Sequence, residues 1–145
     1  MKGRRRGPAP DAFLAACPSR TVMARLGEKW ALLILASLEQ GQVRFGAMRR
    51  RIEGVSQKML TQTLRNLERD GLVERRLYDE RPLRVTYELT DRGRDLLPLA
   101  RDLKAWAERH LHGVEQSNAL YDRAAAARPS LATPRTSLPA AARHS

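Results

Sequence analysis

The chain has 145 residues, with 27 Lys+Arg against 16 Asp+Glu, and a formal charge of +11. A single cysteine, Cys17, excludes an intramolecular disulfide and a cysteine-rich metal knuckle. The apolar run Trp30–Ala36 is far short of the roughly 20 residues that a membrane-spanning helix needs, and Lys2 and Arg4–Arg6 lead into Gly7-Pro8-Ala9-Pro10 instead of an apolar signal core. The expectation is a small, soluble, cytoplasmic protein of one domain with no membrane partner.

The two ends carry little apolar content. Residues 1–11 hold four basic residues and one acidic, and residues 113–145 four basic and two acidic, with Ala, Pro, Ser and Arg dominating the latter. Both are expected to be disordered tails, because such segments bury too little apolar surface to offset chain entropy. The folding unit is expected at residues 12–112, which keeps 19 basic and 13 acidic residues. A polyanion is the partner class that this charge favours.

In chain order, Ser19 is placed to cap a first helix carrying Val22, Met23 and Leu26 and stopped by Gly27. Glu28–Glu39 forms a strongly apolar second helix through Trp30, Leu33, Ile34, Leu35 and Leu38. Phe45, Met48 and Ile52 mark one face of a short third helix, with Arg49, Arg50 and Arg51 beside it. A fourth begins at Ser56, its N-cap, with Val55 stapling onto Leu60, and runs to Asp70 before Gly71. Leu72–Tyr78 reads as a strand, Asp79-Glu80-Arg81-Pro82 as a hairpin tip, and Leu83, Val85, Tyr87 and Leu89 alternate with Arg84, Thr86 and Glu88 as a second strand. Thr90 caps a last helix in which Leu96, Leu99, Leu103, Trp106 and His110 share a stripe and Pro98 weakens one backbone hydrogen bond.

Helix, turn, helix and two-stranded hairpin make a mainly α (α+β) winged helix-turn-helix, with a two-stranded wing and flanking helices. The second helix of such a pair lies in the major groove. On a 100° wheel, Leu60, Leu64 and Leu67 take one side of Ser56–Asp70. Lys58, Gln62, Arg65 and Arg69 lie opposite, flanked by Thr61 and Asn66. Gln pairs with adenine, Arg and Lys with guanine, and a Thr methyl with a thymine methyl, so this face suits base reading. Ser56, Gln57 and the helix N-terminus suit a phosphate. Arg44 and Arg49–Arg51 on the preceding helix, and Arg81 and Arg84 on the wing, are expected at the sugar–phosphate backbone. Arg75 and Arg76 stand on the wing's first strand, and Asp79 and Glu80 are available to pair with the wing arginines.

A long run of residues resembles the HxlR family of bacterial winged-helix transcription regulators. It includes Cys17-Pro18, Leu26-Gly27-Glu28-Lys29-Trp30, Leu32–Leu35, Arg44-Phe45, Ile52 and Val55–Gln62. It continues through Leu64-Arg65, Leu67-Glu68, Asp70–Val73, Pro82, Val85, Tyr87, Leu89-Thr90 and Gly93. Thr63 stands where the family pattern would place a second Gln after Gln62. The resemblance covers Cys17 to Trp106. It implies a transcriptional regulator of double-stranded DNA, acting as a homodimer on a pseudo-palindromic operator, with the first and last helices packed across a two-fold axis.

The residues allow that dimer independently. Leu96, Leu99, Leu103 and Trp106 make a wide apolar stripe that Val22, Met23 and Leu26 can face. The resemblance also implies a small-molecule or electrophile effector and a sensing role for Cys17. A thiol near a helix N-terminus, with Arg20 one turn on, is placed for a lowered pKa, whereas a packed cysteine beside Pro18 would be inert. Neither cofactor, metal nor catalytic residue is expected: His110 and His112 point apart on a helix, and no Gly-rich loop or carboxylate pair appears. The alternative function is a non-specific cationic coat for RNA or DNA, which predicts stacking aromatics on an open surface.

Overall fold

The structure, a computed structural model, describes residues 7–128. Residues 1–6 and 129–145, on which most of the expected tails fall, lie outside the described residues. The elements are α1 Ser19–Leu26, α2 Lys29–Ser37, β1 Val43–Arg44, α3 Phe45–Arg51, α4 Gln57–Arg69, β2 Val73–Tyr78, β3 Arg84–Leu89 and α5 Asp91–Ala127. The expected order of four helices, a hairpin and a helix is present, as a winged helix-turn-helix. The pair β1–β3 adds a third strand: the sheet is antiparallel in the order β1-β3-β2, with Arg44 opposite Thr86 and Arg76 opposite Thr86 on the other side.

The core gathers one face from each element. Ala31, Ile34, Leu35 and Leu38 of the α2 region meet Met48, then Leu60, Leu64 and Leu67 of α4. Leu72, Val73, Tyr87 and Leu89 close it from the sheet side, and Leu97 and Ala100 from α5. Fully burying a leucine or isoleucine is worth roughly 1.5–3 kcal/mol, so the leucine stripe is what holds α4 to the fold and leaves its other face outward.

Both ends of α4 are built from short-range chemistry. Ser56 Oγ accepts from Met59 N at 3.0 Å, as expected of the cap. At the other end Gly71 N reaches the Glu68 carbonyl at 3.0 Å and Leu72 N the Leu67 carbonyl at 2.9 Å, a Schellman termination. It requires Gly71 at φ 73°, where a Cβ would also lie 2.6 Å from the Arg92 guanidinium. Gly71→Ala is therefore expected to destabilise by about 1–2 kcal/mol, measured as the shift in a urea unfolding midpoint at unchanged slope.

Several local expectations are corrected. Ser19 is the first helical residue and not the cap: Pro18 takes the N-cap position, and Ser19 Oγ instead meets Cys17 Sγ at 3.0 Å. The alternation in β3 fails at Thr86, which is buried, and at Leu83, which is exposed. Gln42, next to β1, donates to the Tyr78 hydroxyl of β2 at 2.9 Å, and Thr86 sits on the central strand between Arg44 of β1 and Arg76 of β2. In α5 the residues that enter the core are Leu97 and Ala100, while Leu96 packs on its edge and Leu99, Leu103 and Trp106 face outward.

The chain divides into two compact units, residues 1–107 and 108–145. In the second, helix continues to Ala127, correcting the disordered tail expected from residue 113. Glu115, Gln116, Ala119, Leu120 and Ala124–Ala127 are strong helix formers, and extending an existing helix avoids the cost of nucleation. Side-chain contacts four residues apart, Gln116–His112 and Ser117 to the Gly113 carbonyl, both at 3.0 Å, line this exposed stretch. Among the described residues no helix is long and apolar enough to cross a membrane, and no cluster of His, Cys, Asp or Glu is placed to hold a metal ion.

Candidate nucleic-acid interface

The outward side of α4 is an open surface lined by the polar and cationic residues Gln57, Lys58, Thr61, Gln62 and Arg65. These residues follow from the leucine stripe: with Leu60, Leu64 and Leu67 turned inward, positions 58, 62 and 65 must turn away. Thr61 Oγ1 donates to the Gln57 carbonyl at 2.7 Å, which satisfies the hydroxyl within the helix. Ser56 spends its side chain on the cap, and Leu60 N takes the Ser56 carbonyl at 2.9 Å. The N–H groups of Gln57 and Lys58 remain at the helix's positive end, and its first turn carries no acid.

Beside this face runs a groove of about 510 Å³ between α4, the start of α3 and the wing. Thr61 belongs to both surfaces and joins them. Four arginines line the groove: Arg44, which occupies the N-cap position of α3, Arg75 of β2, Arg81 at the wing tip and Arg84 of β3. Arg49 and Arg69 are exposed but lie outside this lining, on α3 and in the last turn of α4.

The wing arginines fall into two groups. Arg84 is held within the wing: its guanidinium meets Glu80 at 2.8 Å and stacks over the Tyr78 ring at 4.0 Å, and its Nε is buried with no hydrogen-bond partner among the described residues. Arg76 lies between Glu88 at 2.5 Å and Glu74 at 3.4 Å, and these carboxylates, Glu88 foremost, raise its pKa above the ordinary arginine value. Arg75 and Arg81, by contrast, present exposed side chains to the groove. Sequence reasoning placed Arg75 on the wing strand but favoured Arg81 and Arg84 as its contacting side chains. The signal that separates them is strand parity: in β2, Arg75 shares a face with Val73 and Leu77, whereas Arg76 shares one with Glu74 and Tyr78.

Cys17, partly exposed, lies on a mostly apolar groove with Pro8, Pro10, Leu14, Pro18 and Val22. The Ser19 hydroxyl, foremost, and the Ser19 backbone lower its pKa from the ordinary thiol value. Arg20 contributes hydrogen bonds elsewhere, to the carbonyls of Ala12 and Phe13 at 2.7 and 2.8 Å.

Known proteins resemble this chain in sequence and fold. A family model described as HxlR-like helix-turn-helix matches residues 25–115. An HTH-type transcriptional regulator of Methanothermobacter thermautotrophicus is 39% identical over 108 residues, covering 74% of this chain and 79% of the relative. The solved structure of the putative transcriptional regulator ytfH from Salmonella typhimurium superimposes with a TM-score of 0.72 at 37% identity, over 76% of this chain and 98% of that one. The redox regulator HypR in its oxidized form gives a TM-score of 0.59 at 38% identity, over 64% and 96% of the two chains. Helix order, wing and sequence agree, and the chain belongs to the HxlR-like helix-turn-helix family of transcriptional regulators.

Proposed function

We propose that the protein binds double-stranded DNA sequence-specifically as a homodimer, with α4 in the major groove and the wing on the adjoining backbone. The observation that carries this is the continuity of the α4 reading face with a groove lined by Arg44, Arg75 and Arg81. Gln62 and Arg65 offer bidentate donors and acceptors to base edges, and Thr61, its hydroxyl spent, offers a methyl to thymine. Arg44, Arg75, Arg81 and the N–H groups at the start of α4 bind phosphate and position the helix.

Dimerisation rests on exposed apolar surface carried by both flanking helices. Leu99 and Leu103 of α5 are 63% and 46% exposed, and Val22 and Met23 of α1 47% and 61%. Pairing these helices across a two-fold axis covers the patch and sets two copies of α4 on half-sites about 10–10.5 bp apart. The test is selection from a random-sequence duplex pool, followed by footprinting and mass measurement in solution. Enrichment of an inverted repeat, bound by two copies, supports the reading. Equal binding of every sequence, with affinity set by salt alone, replaces it with the cationic coat.

Cys17 is the proposed effector point. Its lowered pKa raises the thiolate fraction, the apolar groove beside it suits a small electrophile, and a structural relative carries the description redox regulator. Diamide is expected to release the selected duplex from the wild type and not from Cys17→Ser. Equal release of both removes Cys17 from the control mechanism.

A further inference from the structure

The C-terminal end of α4 is tied to both helices that flank the winged unit. Arg25, in the last turn of α1, forms an ion pair with Asp70, the C-cap residue of α4. Arg92, in the first turn of α5, donates to the Asp70 carbonyl at 3.0 Å. One turn of chain further, Thr90 Oγ1 donates to the Gly71 carbonyl at 2.6 Å and Thr90 N to the Leu72 carbonyl at 3.1 Å.

The tie to α1 differs in kind from the tie to α5. Leu97 and Ala100 anchor α5 in the core, so the contacts of Arg92 and Thr90 add to an existing attachment. None of the residues of α1 is buried, and its half-buried Leu26 packs against the edge of the core. An ion pair with a fixed donor and acceptor defines a position that a shallow apolar contact leaves free to slide. The carboxylate also stands at the negative end of the α4 dipole, where a charge of its sign is disfavoured unless a cation compensates it. Asp70 is only 18% exposed at its side chain, and its Oδ2 has no partner among the described residues. Arg25 is the cation that meets this carboxylate directly, while Arg92 reaches only the Asp70 carbonyl.

We propose that Arg25 and Asp70 are positioning residues through which α1 sets the angle of α4 on DNA, so that a shift of α1 is transmitted to the reading face. The proposal rests on the DNA-binding reading above and deepens it. It gives the α1 region, where Cys17 and the exposed Val22 and Met23 lie, a physical route to Gln62 and Arg65. The route is one ion pair long, from the end of α1 to the end of α4. Breaking it leaves the leucine stripe of α4 in the core and the end of α4 tied to α5, so the fold survives while α4 loses the position that α1 imposes on it.

The experiment compares affinity for the duplex that the wild type enriches with affinity for a shuffled duplex of the same length. Taken as a ratio within each variant, the comparison is insensitive to the folded fraction. Arg25→Met is expected to lower the ratio about tenfold, and Arg25→Lys to retain most of it. Arg101→Met, which breaks the exposed Arg101–Glu39 pair, is expected to leave it unchanged. The double variant Arg25→Met/Asp70→Asn removes the stranded carboxylate without rebuilding the tie, and should stay as low as Arg25→Met. A wild-type ratio in Arg25→Met overturns the proposal. So does recovery in the double variant, which would make the stranded charge the whole effect. A wild type that enriches no sequence overturns the DNA reading itself, and this proposal with it.

Discussion

Gly93→Ala is expected to destabilise the fold by about 3 kcal/mol or more, although alanine in a helix interior is ordinarily worth close to 1 kcal/mol over glycine. The sign is decided by what surrounds the position. A Cβ at Gly93 would lie 2.1 Å from the Leu72 carbonyl oxygen and 3.1 Å from its carbon, with Leu89 Cδ2 at 3.2 Å. Backbone atoms cannot step aside as the tip of a side chain can. The Leu72 carbonyl is itself fixed by Thr90 N, and Gly93 N is fixed on Thr90 Oγ1 at 3.1 Å. Making room means lifting the first turn of α5 from the turn that ends α4, with the loss of the Thr90 contacts. Urea unfolding measures the effect. Gly113→Ala, in the same helix with nothing within 4 Å, is the comparison and is not expected to lower the midpoint. A Gly93→Ala protein as stable as the wild type would mean that this junction is loose.

That junction shows where the sequence is legible and where it is not. Ser56, Gly71 and Thr90 each act over three or four residues, so their capping and turning roles are visible in the local pattern. The leucine stripe of α4 and the period-2 run of β3 are local as well, and with them the helix-turn-helix and wing. Thr86 breaks the alternation on the central strand, between Arg44 of β1 and Arg76 of β2, a flanking on both sides that no period within β3 encodes. The strand β1 is only Val43–Arg44, too short to show a period, and exists because β3 has a free edge beside it. In α5 two apolar stripes overlap, and only packing decides that Leu97 and Ala100 turn inward while Leu99 and Leu103 turn out. The same holds at the candidate interface: composition names the wing arginines, but Glu80 and Tyr78 decide that Arg84 is held while Arg75 stays available.

Arg65→Ala and Gln62→Ala are expected to cost about 1–3 kcal/mol each on the selected duplex, and to do so by losing preference at particular base pairs. A side chain that pairs with a base edge distinguishes sequences, because the wrong base leaves its donors and acceptors unmet. A side chain that meets phosphate cannot, because every sequence presents the same phosphate. Arg75→Ala and Arg81→Ala are therefore expected to weaken all duplexes alike and to reduce the salt dependence of log affinity by about one unit of slope each. Repeating the selection with each variant separates the two outcomes. Arg65→Ala should enrich a degenerate version of the wild-type site, and Arg75→Ala the same site at lower affinity. The contrast is informative because Arg65 and Arg75 carry the same charge and line adjoining surfaces that meet at Thr61. If Arg65→Ala selects the unchanged site, base reading does not belong to the outward face of α4. If Arg75→Ala changes the site instead, the groove beside the wing reads sequence and α4 provides the grip.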